Sequence, residues 1–357
     1  MNVDEKIEII KQVAEELINE DDLRKLLENV ENPIAYDGFE PSGQIHIAQG
    51  LMRSINVNKL TSTGIKFKFL VADYFAMLNN KYKGDLEKIQ IVGEYAIEVW
   101  KSCGMDLDNV EFIWAKKFYE ENPNYWETVL KLSMNATTSR VLKCGQIMGR
   151  EENTSNPSSQ ILYPIMQAAD IIHLGANIAQ LGLDQRKVNM LARDIFPKIG
   201  KRKPVCVHHH MLLGLQASGA DLIGVDRKIA MKMSKSKPDT AIFMTDSVED
   251  VNRKFKKAHS VDSVVEDNPV LEYFNHIIFQ RYDSILIERP EKFGGNLEYK
   301  TYSEMEQEFI AGNVKSIDIK QCAAKYINEL LEPTRIHFSE GRPLELLEKV
   351  KSYSVSR

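Results

Sequence analysis

The chain has 357 residues, with 46 Lys or Arg against 51 Asp or Glu, a formal net charge of −5. Hydrophobic residues make up 43% and charged residues 27%, which excludes collagen-like, low-complexity and wholly disordered chains. Four distant cysteines without a Cys-x-x-Cys pair offer neither a zinc-ribbon spacing nor a disulfide framework. The N-terminus is acidic and helical in period, unlike a targeting peptide, and no run approaches the roughly 18 apolar residues of a membrane span. The expected protein is soluble and cytoplasmic, with no membrane partner.

Residues 4–30 read as one or two amphipathic helices, with Ile7, Ile10, Val13, Leu17 and Ile18 as the apolar stripe. Pro33 breaks the pattern, and IAYDG (34–38) reads as a buried strand entering the turn-prone EPSG. FKFLVAD (67–73) is a second strand, followed by a helix over 85–103. VEFIWA (110–115) and PVCVHHH (204–210) are the third and fourth strands, with helical stretches over 124–148 and 161–195 between them. This alternation predicts parallel βαβ units and a doubly wound, Rossmann-like α/β sheet, whose ligands sit beyond the C-terminal strand ends. After about residue 260 helices dominate, over 268–281, 302–312 and 316–333. The predicted division is 1–225, a linking segment at 226–260, and a smaller all-helical domain at 261–357.

Charge is uneven. Residues 183–257 hold 16 basic and 8 acidic side chains, a net of +8 against −13 elsewhere. Such a middle suits a polyanion, although a solvated Lys-rich surface has the same composition.

No G-x-G-x-x-G follows a strand. Gly38 and Gly43 have Walker-like spacing, but Gln44-Ile45 follows them, without the lysine and hydroxyl. A phosphate device remains in two separated segments. Pro41 to Gly50 forms a glycine turn leading from a strand into a helix, where backbone N–H groups and His46 suit an anion. Lys232-Met233-Ser234-Lys235-Ser236-Lys237 supplies lysines and hydroxyls suited to a triphosphate. A solvated turn and an ordinary Lys-rich loop are the bland readings of each. Tyr163, Gln167 and Asp170 share one face of an otherwise apolar helix, and Pro164 is expected in its first turn. Three polar groups on a buried face need partners, from a structural network or from a polar ligand. Cys206, His208 and His210 alternate onto one strand face, but nothing supplies an obvious fourth ligand, so no metal site is expected.

The two segments resemble the HIGH and KMSKS signatures of class I aminoacyl-tRNA synthetases. The likeness extends to tyrosyl-tRNA synthetases of archaeal and eukaryotic type through AYDGFEPSGQIHIAQG (35–50), FLVADYFAMLN (69–79), YPIMQAADIIHLG (163–175), LDQRKVNMLARD (183–194), KMSKSK (232–237) and RPEKFGG (289–295). It implies a catalytic domain at 1–225, a signature loop and linker at 226–260, and an anticodon-binding domain at 261–357. It also implies tyrosine–tRNA ligase activity: tyrosine is activated with ATP, then transferred to tRNA. Tyr163, Gln167 and Gln185 would hold the tyrosine α-ammonium, while Asp170 and Tyr36 would meet its phenolic hydroxyl. Leu70, Ala72 and Phe75 would pack on the ring, and Glu40 and Asp73 would stand near the pocket.

By the same resemblance Gly43, His46 and Gln49 would contact ATP from one signature, and Lys232, Met233, Ser234 and Lys235 from the other. His46, Gln49, Lys232 and Lys235 would be the catalytic set, with Mg²⁺ accompanying ATP. Ala48 and Gln49 stand where the usual signature has Gly and His, so the second imidazole is absent. Lys143, Arg186 and Lys187 would meet the first acceptor-stem base pair, with simple phosphate contacts as the alternative. Phe293 and Asp318 would read an anticodon base, unless they are a core phenylalanine and a helix cap. A homodimer is implied, and no appended module is expected. Two rivals remain: the tryptophanyl enzyme, and a non-catalytic tRNA- or RNA-binding paralogue.

Overall fold

Six short strands join in one sheet: β1 (Glu16–Ile18), β2 (Ile34–Phe39), β3 (Lys66–Val71), β4 (Val110–Trp114), β5 (Ile178–Gly182) and β6 (Val205–His209). Their order is β1-β6-β5-β2-β3-β4. The structure, a computed structural model, describes residues 1–145, 157–216, 231, 233 and 238–353. All neighbouring strands run parallel except β1, which lies antiparallel on β6 at the edge. From β2 the chain progresses through β3 to β4 on one side, and β5 and β6 lie on the other. The switch in direction therefore falls between β2 and β5, where a doubly wound sheet opens a crevice at its C-terminal edge.

Side-chain alternation along β2 and β3 sends residues to two separate cores. Ala35, Phe39, Phe67 and Phe69 face the core that holds α1 (Val3–Val13), α3 (Arg53–Ser62) and α5 (Leu86–Ser102). Tyr36 and Leu70 face the other, built with α6 (Ala115–Glu121), α7 (Tyr125–Met134), α9 (Ser159–His173) and α10 (Arg186–Ile195). Helix starts carry the expected caps: Asn2 forms a capping box with Glu5, and Asp85 accepts from the Lys88 N–H.

Four local expectations need correction. The N-terminal helical stretch is interrupted by β1, because its three residues pair with Cys206 to His208. The stretch over 161–195 contains β5, whose five residues are all buried. A strand buried on both faces has no period-2 signal, so it reads as part of its flanking helices. The stretch over 124–148 breaks after Met134, and a new helix, α8 (Thr138–Leu142), starts under the Thr137 side-chain cap. Pro164 lies inside α9 rather than in its first turn. The helix opens earlier, with tight i→i−3 bonds from Gln160 to Pro157 and from Ile161 to Ser158.

The C-terminal part is helical: α11 (Val248–Lys257), α12 (Pro269–His276), α13 (Tyr302–Ile310), α14 (Ser316–His337) and α15 (Gly341–Ser352). A short antiparallel ribbon, β7 (Ile285–Ile287) with β8 (Leu297–Tyr299), interrupts it. These strands are three residues each, too short for alternation to register in sequence.

Candidate active site

The crevice is lined by residues just beyond the C-terminal ends of the strands. Glu40 comes directly after β2, Ala72 after β3, and Gln185 after β5 in a short 3-10 turn. Across them lies α9. Its Tyr163 hydroxyl donates to Glu40 Oε2 at 3.1 Å, and its Gln167 Nε2 donates to Gln185 Oε1 at 3.1 Å. Phe75 meets the Tyr163 ring edge-on at 4.6 Å. Tyr36, Leu70, Ala72, Phe75 and Tyr163 belong to one packed cluster, so the structure brings these sequence-predicted residues together. Glu40 is further held by Asn79 Nδ2 at 3.2 Å.

At the floor, Asp170 is fully buried. Its Oδ1 accepts from the Tyr119 hydroxyl at 2.9 Å and the Tyr125 hydroxyl at 2.8 Å. Its Oδ2 has no hydrogen-bond partner among the described residues, and the buried Tyr36 hydroxyl makes none at ordinary hydrogen-bond distance, Gln167 reaching it only loosely. Burial raises the Asp170 pKa from 3.8 to about 7, against the two tyrosine hydrogen bonds that lower it. Tyr36 is likewise pushed well above its ordinary value, first by burial and then by the Asp170 charge. An unmet buried polar atom costs about 1–3 kcal/mol. One ligand hydroxyl, donating to Asp170 and accepting from Tyr36, would satisfy both.

Sequence reasoning missed Tyr119 and Tyr125. They stack at 4.1 Å and lie in a polar, turn-rich stretch that reads as surface; the available signal was two tyrosines beside an apolar helix. Asp73 caps the end of β3: its Oδ1 accepts from the Tyr74 and Lys116 N–H groups and its Oδ2 from Gln90. Burial raises its pKa. It is thus a structural carboxylate beside the pocket.

The first signature segment leaves β2 through Gly43, whose φ of +121° favours glycine. Ile45 and Ile47 are buried while Gln44 and His46 are partly exposed. The His46 carbonyl accepts from the Gln49 and Gly50 N–H groups at 2.9 and 3.0 Å, opening a π turn over Ala48–Met52 that runs into α3. Trp100 Nε1 fixes the Gln49 carbonyl at 2.8 Å, while Gln49 Oε1 is buried without a partner among the described residues. A Cβ on Gly50 would collide with Met244.

A segment downstream of the second signature packs on the first. Ile47 N–H donates to Ile242 O at 2.8 Å, Met244 N–H donates to Ile45 O at 2.9 Å, and His46 bridges Phe243. Residues just downstream of the lysine segment therefore pair with the first signature. Lys232, Ser234 and Lys235 lie outside the described residues. Met233 is buried, and its N–H points to Leu212 O at 3.3 Å, so its side chain packs in the core and its amide is already engaged.

The candidate RNA contacts lie further out. Lys143 is exposed at the end of α8, and Lys187 lies close enough to act on the Cys144 thiol. Arg186 gives its Nε to the Glu16 carboxylate at 2.8 and 2.9 Å. Phe293 is 63% exposed, with Lys292 over its ring, so it is not a core residue. Asp318 accepts from the Lys315 N–H in the first turn of α14 and lies 3.8 Å from Arg289. The histidines of β6 and the one after it are individually engaged: His208 with Glu16 and Asn189, His209 with Gln180, and His210 with Glu15. Among the described residues no group of three or more His, Cys, Asp or Glu could hold a metal ion. Nor, among them, is any helix long and apolar enough to cross a membrane.

A switch-point crevice whose strand-to-helix turn carries the first signature, with residues 242–244 paired against that turn, has the form of a class I synthetase site. The family model for class I tRNA synthetases of the tryptophan and tyrosine type matches residues 28–332, and the chain belongs to that family. Within it, the chain falls among the tyrosyl-tRNA synthetases. It is 45% identical to the cytoplasmic tyrosine–tRNA ligase 1 of Arabidopsis thaliana, over 99% of this chain and 90% of that protein. A Pyrococcus horikoshii tyrosyl-tRNA synthetase solved with L-tyrosine superposes with a TM-score of 0.90 at 37% identity, covering 98% of this chain and 100% of that one. The Leishmania major tyrosyl-tRNA synthetase solved with tyrosinol gives 0.89 at 45% identity, covering 99% of this chain but 52% of the other.

Proposed function

We infer that this chain ligates tyrosine to tRNA in two steps: formation of tyrosyl-adenylate from tyrosine and ATP, then transfer to the tRNA 3′ end. The observation that carries it is the buried pair at the floor of an aromatic pocket: Asp170 Oδ2 without a partner among the described residues, and Tyr36 OH with only a loose contact to Gln167. A phenol can donate to the carboxylate and accept from Tyr36; an indole N–H can only donate, which disfavours the tryptophanyl rival. Tyr163, Gln167 and Gln185, with Glu40 behind Tyr163, would receive the α-ammonium at the pocket mouth. Leu70, Ala72 and Phe75 would enclose the ring.

Neither step needs a protein nucleophile. The tyrosine carboxylate attacks the α-phosphate in line, and the protein positions groups and offsets charge. His46, on the turn from Gly43 to Gln49, would meet the phosphates, and Lys232 and Lys235 would neutralise charge on the leaving pyrophosphate. Mg²⁺ enters with ATP as part of the substrate, held mainly by phosphate oxygens and water. Arg186, Lys187 and Lys143 would contact the acceptor stem, and Phe293 with Asp318 an anticodon base. The catalytic part would end near residue 225, the loop and linker near 260, and the anticodon part would follow.

A cytoplasmic homodimer completes the reading. Its support is the apolar exposure on one side of the catalytic part: Trp126, Leu130 (65%) and Met134 (85%) on α7, with Ile161 and Leu162 on α9. The test of function is ATP–pyrophosphate exchange with each of the twenty amino acids. Exchange with tyrosine alone is expected; exchange with tryptophan would overturn the pocket assignment, and none from folded protein would favour the RNA-binding paralogue.

A further inference from the structure

His210 stands where three parts of the chain meet. It follows β6, its Nδ1 lies 2.9 Å from Glu15 Oε2 in the link between α1 and β1, and its Nε2 lies 3.2 Å from Glu272 Oε2 on α12. Its ring stacks on that of His276, 4.2 Å away and 8° from parallel. Burial would keep the imidazole neutral, but the two carboxylates outweigh it and raise its pKa to about 9. The neighbouring imidazoles are neutral: burial, with the His210 charge, holds His276 at about 3, and burial, with the Arg53 charge, holds His209 at about 3 as well. Lys59 of α3 acts on His276 from behind.

The same Glu272 Oε2 accepts the Leu213 N–H at 2.7 Å. The backbone around Leu213 is a hub. Leu212 O accepts from Met233 N–H at 3.3 Å, Gly214 N–H donates to Met231 O at 2.9 Å, and Leu215 N–H donates to Thr240 O at 2.8 Å. Lys232 lies in sequence between Met231 and Met233, so the main chain on both sides of the lysine signature is hung from residues 212–215.

We propose that Glu272 and His210 are positioning residues for tyrosine activation: a carboxylate–imidazolium–carboxylate bolt from the N-terminal link to the C-terminal helices fixes segment 212–215 and, through it, the roots of the lysine signature. Neither residue is among those assigned above to tyrosine or ATP. This rests on the ligase reading, and the two fail separately: absence of tyrosine-dependent exchange in the wild type would sink the reading itself.

The experiment compares Glu272→Ala, Glu272→Gln and His210→Phe in steady-state pyrophosphate exchange, with thermal melts alongside. Misplacing catalytic groups by about 1 Å can cost about 100-fold. Glu272→Ala is therefore expected to lower kcat by about 10-fold to 100-fold, with KM for tyrosine within about twofold of wild type. Glu272→Gln keeps an acceptor for Leu213 but not the ion pair, and should recover part of the loss. His210→Phe keeps the stack, and should lower kcat and lack the fall in kcat expected of the wild type above about pH 9. A folded Glu272→Ala with wild-type kcat would overturn the proposal. So would Glu272→Gln no better than Ala, or losses in kcat and KM that simply track melting temperature across all three variants.

Discussion

Replacing Asp170 by Asn should make the ligand-free protein more stable at alkaline pH while weakening its hold on tyrosine. The carboxyl has an ordinary pKa of 3.8 and a folded value of about 7, raised by burial. Between those values the unfolded chain has released its proton and the folded chain has not, so stability falls as pH rises, then levels off above about 7. The whole span corresponds to about 4 kcal/mol, of which about 3 kcal/mol falls between pH 5 and 8. Asparagine has no charge to bury, so the stability difference between variant and wild type should shift by about 3 kcal/mol in the variant's favour from pH 5 to pH 8. Its NH₂ still lacks a partner, which offsets about 1–2 kcal/mol at both pH values and cancels in the comparison. For the substrate the sign reverses. Loss of a charged acceptor removes about 1.5–3 kcal/mol from binding, raising KM for tyrosine about 10-fold to 150-fold at pH 8. Urea unfolding of the ligand-free protein at the two pH values and pyrophosphate exchange at pH 8 measure both arms. An unchanged KM would remove Asp170 from the pocket, and a stability difference independent of pH would mean its carboxylate is not buried as described.

Other outcomes rest on the same geometry. Gly50→Ala drives a methyl into Met244, where residues 242–244 pack on the first signature. It should cost about 1–3 kcal/mol in urea unfolding and raise KM for ATP more than KM for tyrosine; wild-type stability would mean the contact yields freely. Leu130→Glu or Met134→Glu, both on the exposed apolar face of α7, should convert a dimer to monomers in sedimentation velocity, and a dimer that survives both would locate the interface elsewhere. Arg186→Ala should slow charging of tRNA at unchanged tyrosine activation. Because Arg186 also pairs with Glu16, the Glu16→Gln variant separates the two roles: a matching loss there would assign the effect to the ion pair.

Much of the site was legible before the fold. Tyr163, Gln167 and Asp170 are spaced for one helix face, and α9 presents Tyr163 and Gln167 to the residues after β2 and β5. Gly43 marked a turn, and the turn has the positive φ that glycine tolerates. The illegible parts depended on partners distant in sequence. Tyr119 and Tyr125 hold Asp170 from 51 and 45 residues away, and their own neighbourhood reads as polar surface. β5 lacked a period because both its faces are covered.

The alternation of strands and helices, the two signature segments and the polar face of a buried helix are written in neighbouring residues and local periodicity, and so could be read from the chain alone. The folded chain adds that the sheet reverses direction between β2 and β5, that Ile45–Ile47 pair with 242–244, and that one Asp170 oxygen is taken by two tyrosines while the other is left open among the described residues. Those are long-range pairings. They depend on which buried polar groups find partners once the chain has closed, and no local pattern of residues encodes that.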